Sequence, residues 1–396
     1  MEKRVPMSGV IALMLIVAAI SIVATHALSG EMLNRQTGDA ERVSAIYEKI
    51  NELESFVGAS FLDDVDTEEL LNQVARGYVA GLGDIWAQYL TPDEFRAQRQ
   101  ASEGRVVGIG ITVNRDAPYE YIFISRVMPN TPAEEAGLQH GDVIVEVAGQ
   151  DISEIGYVEA ISLLIGTEGT TAEFVVRRDE RLLPFSIPRG EYEATSVWSQ
   201  VIDGKGYILI TTFNASTANQ FENAVNDLLE AGVSGFVFDV RGNGGGALSS
   251  VENVLNMILP QGVVITAQFA NDRAENVFSS DADRLTDLPM AVIIDNGSAS
   301  AAELFAAAVR DMADGILVGE TTYGKGSMQQ TFELNNGGAI RFTIARFKPP
   351  SGVSFDGVGV EPQVEVALTE EQRERFHRLA LEDDPQVLAA LEALRG

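Results

Sequence analysis

The sequence M-A-V-I-I-D-N-G-S-A-S-A-A-E-L-F, residues 290–305, decides the fold because its apolar pattern changes at a run of small residues. The apolar run Met290–Asp295 predicts a buried strand, and the small residues after it predict a tight turn. A helix is predicted from Ala301 to about Asp311, followed by a second strand over Gly315–Glu320. A strand, a helix and a strand in this order are typical of an α/β layer.

Ser300 lies at the predicted start of the helix, where backbone N–H groups and the positive end of the helix dipole favour negative charge. Ser300 and Glu303 also fit a capping box, so structural capping by itself explains this S-x-x-E pattern. Farther along, Lys325 lies between Gly324 and Gly326, and glycines let a loop backbone approach a neighbour closely. The serine and the lysine are therefore the candidates for chemistry in this stretch.

Composition excludes several classes of function. The chain has 396 residues, enough for two or three domains, and its formal charge of −30 argues against nucleic-acid binding. It has no cysteine, which excludes disulfides, thiolate catalysis and cysteine metal sites. None of the histidines, His26, His140 and His377, is near a serine motif, so a serine enzyme would need a lysine as its base. We expect no cofactor and no metal.

The N-terminus has the pattern of an export signal. Basic residues at positions 3 and 4 precede the apolar run Val10–Ala24, and residues 25–27 form an acceptable cleavage site. The run is also nearly long enough for a tilted membrane anchor. We expect residues 1–30 to be a signal peptide or a membrane anchor, with the rest of the chain exported to the cell envelope, soluble or anchored by residues 10–28.

The rest of the chain divides into four predicted regions. Residues 31–100 are predicted to be a helical segment, and residues 101–190 a β-rich domain with a helix over Tyr157–Leu164. Residues 191–368 alternate strands and helices and predict an α/β core, which ends in a hairpin around residues 335–338. Residues 369–396 are predicted to be a helical tail. Its final helix is capped at Asp384-Pro385.

Two sets of motifs resemble the carboxyl-terminal processing peptidases, also called tail-specific proteases. The first set is G-S-A-S-A-A-E at residues 297–303, G-K-G at residues 324–326, and Gln329. The second is T-P-A-x-x-A-G-L-x-x-G-D-x-I at residues 131–144, which looks like a PDZ domain. The resemblance covers roughly Asp64 to Val366. It implies a crotonase-like and Clp-protease-like layered α/β core with an inserted β-rich PDZ domain and an N-terminal helical segment.

The resemblance also implies roles for single residues. Ser300 matches the nucleophile, Lys325 the general base and Gln329 the residue that orients the lysine. The oxyanion donors would be the amide of Ala301 and the amide of one of two glycines, Gly245 or Gly246. Two carboxylates match further family positions and are interpreted as supports for the site, although carboxylates on a helix surface would explain them equally: Glu303 and Asp311.

In the PDZ-like domain, the resemblance implies that a glycine-flanked loop offers amides to the terminal carboxylate of an apolar peptide tail. The loop and the first residue after it are Gly108, Ile109, Gly110 and Ile111. An ordinary strand bulge would also explain these glycines.

Three positions depart from the family pattern. Gly244 stands where the family has Pro in the glycine-rich loop, which leaves open whether Gly245 or Gly246 presents its amide. Ile165 stands where the family commonly has Arg, so any control by the PDZ domain must work differently or be weaker here. Ile85 follows Asp84 in a segment, Asp84–Phe95, that is similar to a helical segment of the family and usually has Asp-Pro.

We therefore interpret the chain as an exported Ser/Lys endopeptidase that recognises apolar protein C-termini. Two alternatives are a crotonase-type acyl-CoA enzyme, which would share the fold and the glycine-rich loop, and a catalytically silent PDZ scaffold. The partners expected are protein or peptide substrates, a membrane contact only through the N-terminal segment, and no nucleic acid. Apolar stripes on helices before Glu94 and after Asp384 are suited to self-association as a homodimer.

Overall fold

The structure, a computed structural model, describes residues 40–116, 121–281, 283–374 and 376–395. The predicted export segment, residues 1–30, lies outside the described residues. Within the described ranges, none of the helices combines the length and the apolar character needed to span a bilayer. The chain divides into two compact units after Gln73.

The first unit contains helix α1 (residues 40–60) and the start of helix α2 (Thr67–Ala80). Apolar residues of α1 recur at spacings of three and four, which is the pattern of a coiled-coil seam. Between 37% and 54% of the surface of each is exposed: Val43, Ile46, Ile50 and Leu53.

The second unit holds the remaining elements. Its helices are α3 (Pro92–Ser102), α4 (Pro132–Glu135), α5 (Ile152–Ile155), α6 (Tyr157–Leu164), α7 (Thr217–Glu230), α8 (Leu248–Asn256), α9 (Ala301–Ala313), α10 (Glu370–Glu374) and α11 (Pro385–Ala393). Its strands up to the start of the core are β1 (Gln88–Leu90), β2 (Arg105–Gly108), β3 (Ile111–Asp116), β4 (Tyr121–Val127), β5 (Val143–Val147), β6 (Gln150–Asp151), β7 (Thr171–Arg178), β8 (Arg181–Pro188) and β9 (Gly190–Glu193). The later strands are β10 (Val197–Ile202), β11 (Lys205–Ile210), β12 (Phe236–Asp239), β13 (Gly262–Phe269), β14 (Ala274–Ser280), β15 (Met290–Ile294), β16 (Ile316–Gly319), β17 (Ser327–Glu333), β18 (Ala339–Lys348) and β19 (Val364–Glu365).

The central sheet has the order β10-β11-β12-β15-β16-β19 within the described residues. All its neighbours pair in parallel except β10 and β11. Strands β12 and β15 are buried along their whole length, because α7, α8 and α9 pack on one face and α11 on the other. The predicted strand, turn, helix and strand are confirmed, with β15 ending at Ile294 and α9 extending to Ala313.

A second sheet, in the order β1-β18-β13-β14 with β17 beside β18, lies next to this core. The predicted hairpin is confirmed as β17 and β18, and β17 already begins at Ser327. The helix implied for Asp84–Phe95 is wrong. Residues 88–90 pair with β18 instead, and the helix begins only at Pro92 with Thr91 as its N-cap.

The β-rich region folds around an apolar core of its own. Its sheet has the order β3-β4-β5-β7-β8, so β3 is an edge strand. Helix α6 covers Tyr157–Leu164, as predicted.

Helix α11 is an integral part of the core. Its residues Val387, Ala390 and Leu391 are at most 3% exposed and pack on the central sheet. The prediction that the apolar stripe of this helix is available for self-association is therefore wrong. Asp384 caps the helix as predicted, by accepting hydrogen bonds from the Gln386 and Val387 amides.

A buried arginine fastens α11 to the sheet. Arg241, just after β12, pairs with Asp239 and donates from Nη1 to Asp384 at 2.7 Å and to Gln386 at 2.8 Å. Both Arg241 and Asp384 are almost wholly buried, so each needs the other to offset the cost of leaving water.

The packing of α11 predicts unequal effects for two leucines on the same helix. Leu391→Ala should lower the free energy of unfolding by about 2–5 kcal/mol, because it opens a cavity in the core. Leu388→Ala makes the same chemical change at a side chain that is 47% exposed, and should cost less than about 1 kcal/mol. Equilibrium urea unfolding measures both; equal losses would contradict this packing.

Candidate active site

Ser300 occupies a strained turn between β15 and α9. Its φ of 56° and ψ of −113° are unusual for a residue with a side chain, at a cost of about 1–3 kcal/mol. Two hydrogen bonds hold this conformation: the Ser300 amide donates to Glu303 Oε2 at 2.8 Å, and the Leu304 amide donates to the Ser300 carbonyl at 3.0 Å. A serine on a strained turn from strand to helix is the arrangement that presents a nucleophile at the end of a sheet.

Glu303 is a fully buried carboxylate that joins the serine turn to the lysine loop. Besides the Ser300 amide, it accepts hydrogen bonds from the Thr322 hydroxyl at 2.5 Å, the Gly324 amide at 2.7 Å and the Lys325 amide at 2.8 Å. The interpretation of Glu303 as a surface carboxylate is therefore wrong. The capping box is present, and its glutamate also fixes where the lysine loop lies.

Lys325 presents its amine to an aromatic ring. Nζ lies 4.3 Å from the centroid of the Trp86 ring, which in turn meets Tyr323 edge-on. Burial lowers the pKa of Lys325 and the Arg341 guanidinium lowers it further, while the Glu303 and Asp84 carboxylates act in the opposite direction. The net effect is a pKa below the usual value for a lysine.

Gln329 lies four residues beyond the lysine, on β17, but it does not bond to the lysine in this structure. Its Nε2 donates to Ser327 Oγ at 2.7 Å and to Thr343 Oγ1 at 3.2 Å. Among the residues that the structure describes, no hydrogen bond joins Lys325 Nζ to Ser300 or to Gln329.

The glycine-rich loop after β12 lies against the serine turn. A Cβ on Gly245 would meet the Ala299 carbonyl at 2.8 Å and Ser300 Cβ at 2.9 Å, so only glycine fits there. The Gly245 amide already donates to Asn243 Oδ1 at 2.8 Å. The amides of Gly246 and Ala301, in contrast, have no acceptor within the described part of the chain.

A cleft of about 670 Å³ brings most of these groups together. It is lined by Ser300, Ala301, Gly246, Lys325 and Gln329. Its charged lining residues within the described chain are all cationic, although the whole protein is strongly acidic: Arg99, Lys325 and Arg341. A second cleft, of about 590 Å³, lies between the β-rich domain and the core and contacts neither Ser300 nor Lys325.

Asp311 lies away from the cleft, about three turns along α9 from the serine. Its carboxylate pairs with Arg310 and accepts a hydrogen bond from the Ser351 amide at 3.0 Å. Asp311 therefore anchors the loop after β18 to the far end of α9.

The glycine loop of the β-rich domain leads into the edge strand β3, which starts at Ile111. Gly110 has a φ of 91°, and a Cβ there would come within 2.2 Å of Thr131, so a side chain is excluded. The Ile109 carbonyl accepts a hydrogen bond from the Ala133 amide at 2.8 Å, and Gly108 ends β2. The alternative interpretation of a bulge within one strand is wrong, because the loop joins two strands of different sheets.

The end of α6 is contacted by an arginine, although not from the position at which the family commonly has one. Ile165 is 68% exposed. Arg189, which follows β8, donates to the Leu163 and Leu164 carbonyls at 2.9 Å and lies against Gly166.

Sequence reasoning missed two residues that surround Lys325: Trp86 and Arg341. Trp86 follows Asp84, whose carboxylate accepts hydrogen bonds from the Trp86 amide and from the Thr343 amide. Arg341 lies on β18 and donates to Gln88 on β1 at 2.5 Å. The resemblance over Asp84–Phe95 marked this segment, but nothing local indicated that it contacts the lysine.

Comparison with known proteins agrees with this geometry. Residues 204–366 match the model of peptidase family S41, and residues 123–178 match a PDZ domain. The matched peptidase region contains Ser300, Lys325 and Gln329.

Relatives extend the similarity along most of the chain. The carboxy-terminal processing protease CtpA of Bacillus subtilis is 27% identical over 334 residues, which are 84% of this chain and 70% of the relative. The structure of a photosystem II D1 C-terminal processing protease is 27% identical and aligns with a TM-score of 0.50 over 80% of this chain and 86% of that chain. A putative S41 protease from Bacteroides fragilis, 17% identical, shares the fold with a TM-score of 0.57 over 80% of this chain and 87% of that one. The chain therefore carries a peptidase family S41 domain and a PDZ domain, and it is a serine-type peptidase similar to the C-terminal processing proteases.

Proposed function

We propose that this peptidase cleaves with Ser300 as the nucleophile and Lys325 as the general base. The observation that carries the proposal is that both residues line one cleft, with Ser300 on a strained turn at the start of α9. The neutral Lys325 amine takes the Ser300 hydroxyl proton while Oγ attacks the peptide carbonyl carbon. The resulting ammonium then gives a proton to the leaving amine, and an acyl-enzyme forms, which water hydrolyses by the same steps.

The amides of Gly246 and Ala301 are the proposed donors to the tetrahedral oxyanion. Both line the cleft and both lack an acceptor among the described residues, whereas the Gly245 amide is occupied by Asn243. Gly245 acts instead by letting the loop approach Ser300 closely. Preorganised amides of this kind stabilise the charge that develops in the transition state.

Lys325 can act as a base only in its neutral form, and its lowered pKa supports this role. Gln329 is the proposed partner that orients the amine during the reaction. This assignment requires Gln329 to exchange its contacts with Ser327 and Thr343 for one with the lysine.

The classification of the core as crotonase-like and Clp-protease-like is also a proposal.

The PDZ domain is proposed to bind the free C-terminus of a substrate beside the edge strand β3. The loop Gly108-Ile109-Gly110 precedes this strand, and an open strand edge can accept a peptide as an additional strand. Burial raises the pKa of the nearby Tyr192 phenol, although a hydrogen bond with the Gly110 backbone acts in the opposite direction. That hydroxyl would have to yield the Gly110 amide to a bound carboxylate.

Self-association is proposed to use helix α1. Its apolar seam is exposed and has heptad spacing, whereas the α11 stripe is buried. Sedimentation would test this with Ile50→Glu, against the control Leu388→Glu on α11. An unchanged oligomeric state in Ile50→Glu, or a monomeric wild-type chain, would contradict it.

Export is proposed from the apolar run Val10–Ala24 and the basic residues before it. A reporter fused after Gly396 that is active only in the cytoplasm would contradict export.

Replacing the proposed nucleophile tests the catalytic assignment. Ser300→Ala should lower kcat/KM for an unfolded protein substrate by about 10⁴-fold or more, because no acyl-enzyme can form. Ser249→Ala is the control, since Ser249 is an exposed serine outside the cleft. Near wild-type cleavage by purified Ser300→Ala would exclude this serine as the nucleophile.

Replacing the proposed base tests the mechanism. Lys325→Arg keeps the positive charge but cannot lose a proton at any accessible pH, so it should be as inactive as Lys325→Ala. In the wild-type enzyme, kcat/KM should rise with pH through the lowered pKa of Lys325, because deprotonation creates the base. Robust turnover by Lys325→Arg at neutral pH would place the base elsewhere.

Tail recognition predicts that substrates are selected by their C-termini. Amidating an apolar C-terminus should lower kcat/KM by about tenfold or more, because the loop amides lose a charged acceptor. A substrate of the same sequence with a free carboxylate is the control. Equal kcat/KM values for the two peptides would show that this loop does not read the terminus.

A further inference from the structure

The Trp86 ring is held as a fixed platform beneath the Lys325 amine. The Trp86 amide donates to Asp84 Oδ1 at 3.0 Å, and the other oxygen of that carboxylate accepts from the Thr343 amide on β18 at 2.7 Å. The ring also contacts Tyr323 edge-on, with centroids 6.0 Å apart. Trp86 is therefore fastened both to β18 and to the lysine loop.

The amine lies on this ring rather than in a catalytic arrangement. The separation of 4.3 Å from Nζ to the ring centroid is well within the range of a cation–π contact. Gln329 donates its hydrogen bonds to two hydroxyl groups instead of binding the amine. Within the described residues, no hydrogen bond joins Lys325 Nζ to Ser300 or to Gln329.

The charges that face the amine come from three elements and oppose one another. The carboxylates of Asp84, before β1, and Glu303, on α9, favour the ammonium form, while Arg341 on β18 and burial favour the neutral amine. The Trp86 ring also favours the ammonium form, because the negative face of the ring attracts a cation more strongly than a neutral amine.

We propose that Trp86 is a positioning residue that holds Lys325 in a resting place as the ammonium ion and releases it as the neutral amine. The ring therefore couples the protonation state of the lysine to its position. Loss of the proton frees the amine to reach Ser300 and Gln329, and protonation returns it to the ring. This inference rests on the proposed Ser/Lys mechanism.

Substituting the ring should move the pH profile in a known direction. The ring stabilises the ammonium, so it raises the pKa of Lys325, and its removal lowers that pKa. In Trp86→Leu the acidic limb of kcat/KM should therefore shift to lower pH by about 0.5 to 1 unit. Trp86→Phe keeps a ring with a weaker quadrupole and should shift less. A merely structural role would lower kcat/KM at every pH and leave the limb in place, and that result would overturn the proposal.

A spectroscopic titration provides a readout that does not require activity. The chain has two tryptophans, Trp86 and Trp198, so Trp198→Phe leaves Trp86 as the sole indole fluorophore. Its emission should change with pH at the midpoint of the acidic limb, and this change should disappear when Lys325→Met is added. If the emission does not titrate, or titrates equally without the lysine, the ring does not hold the amine.

The two measurements separate this inference from the function on which it rests. If Lys325→Arg turns over but Trp86 emission still follows Lys325, the contact exists and the Ser/Lys mechanism is wrong. If Lys325→Arg is inactive but neither the emission nor the Trp86→Leu profile responds, the mechanism stands and the role of Trp86 is wrong.

Discussion

The buried carboxylate of Glu303 is the constraint on which the site depends. Burying a charge is costly, and four donors at hydrogen-bonding distance offset that cost here. Three of the donors are backbone amides, one on the serine turn and two on the lysine loop. The backbones of Ser300 and Lys325 are therefore fixed relative to each other, whereas none of these hydrogen bonds involves the Lys325 amine. A single buried side chain therefore sets the relative positions of the serine turn and the lysine loop.

The sequence allowed prediction of the parts that depend on local pattern. The strand, the turn and the helix around Ser300 are confirmed. They were predictable because the apolar run, the small residues and the helix cap all lie within one short stretch of sequence. The burial of Glu303 was left open, since a capping box looks the same on a surface helix and a buried one. The short strand β1 was missed for a related reason. Its partner strand is β18, and the hydrogen-bonded residues Gln88 and Arg341 are 253 positions apart in the sequence. A local sequence pattern cannot predict a contact over that separation.

Local charge in the cleft is opposite to the charge of the whole chain. The protein carries a formal charge of −30, yet Arg99, Lys325 and Arg341 are the charged residues among the described cleft lining. Because Arg341 is anchored to Gln88, its guanidinium remains near the lysine amine. Net charge therefore describes how the molecule behaves towards polyanions in solution, but it has the opposite sign to the charged residues that line the cleft.

The attachment of α11 has a consequence for the order in which the core can form. Arg241 leads directly into the glycine-rich loop, and its partner Asp384 lies 143 residues later in the sequence. During synthesis the loop is made long before the residues that neutralise and support its arginine. A growing chain therefore carries the serine, the lysine and the loop without the last layer of the core that holds them. The packing around the glycine-rich loop therefore depends on residues that are made only after the loop, the serine and the lysine.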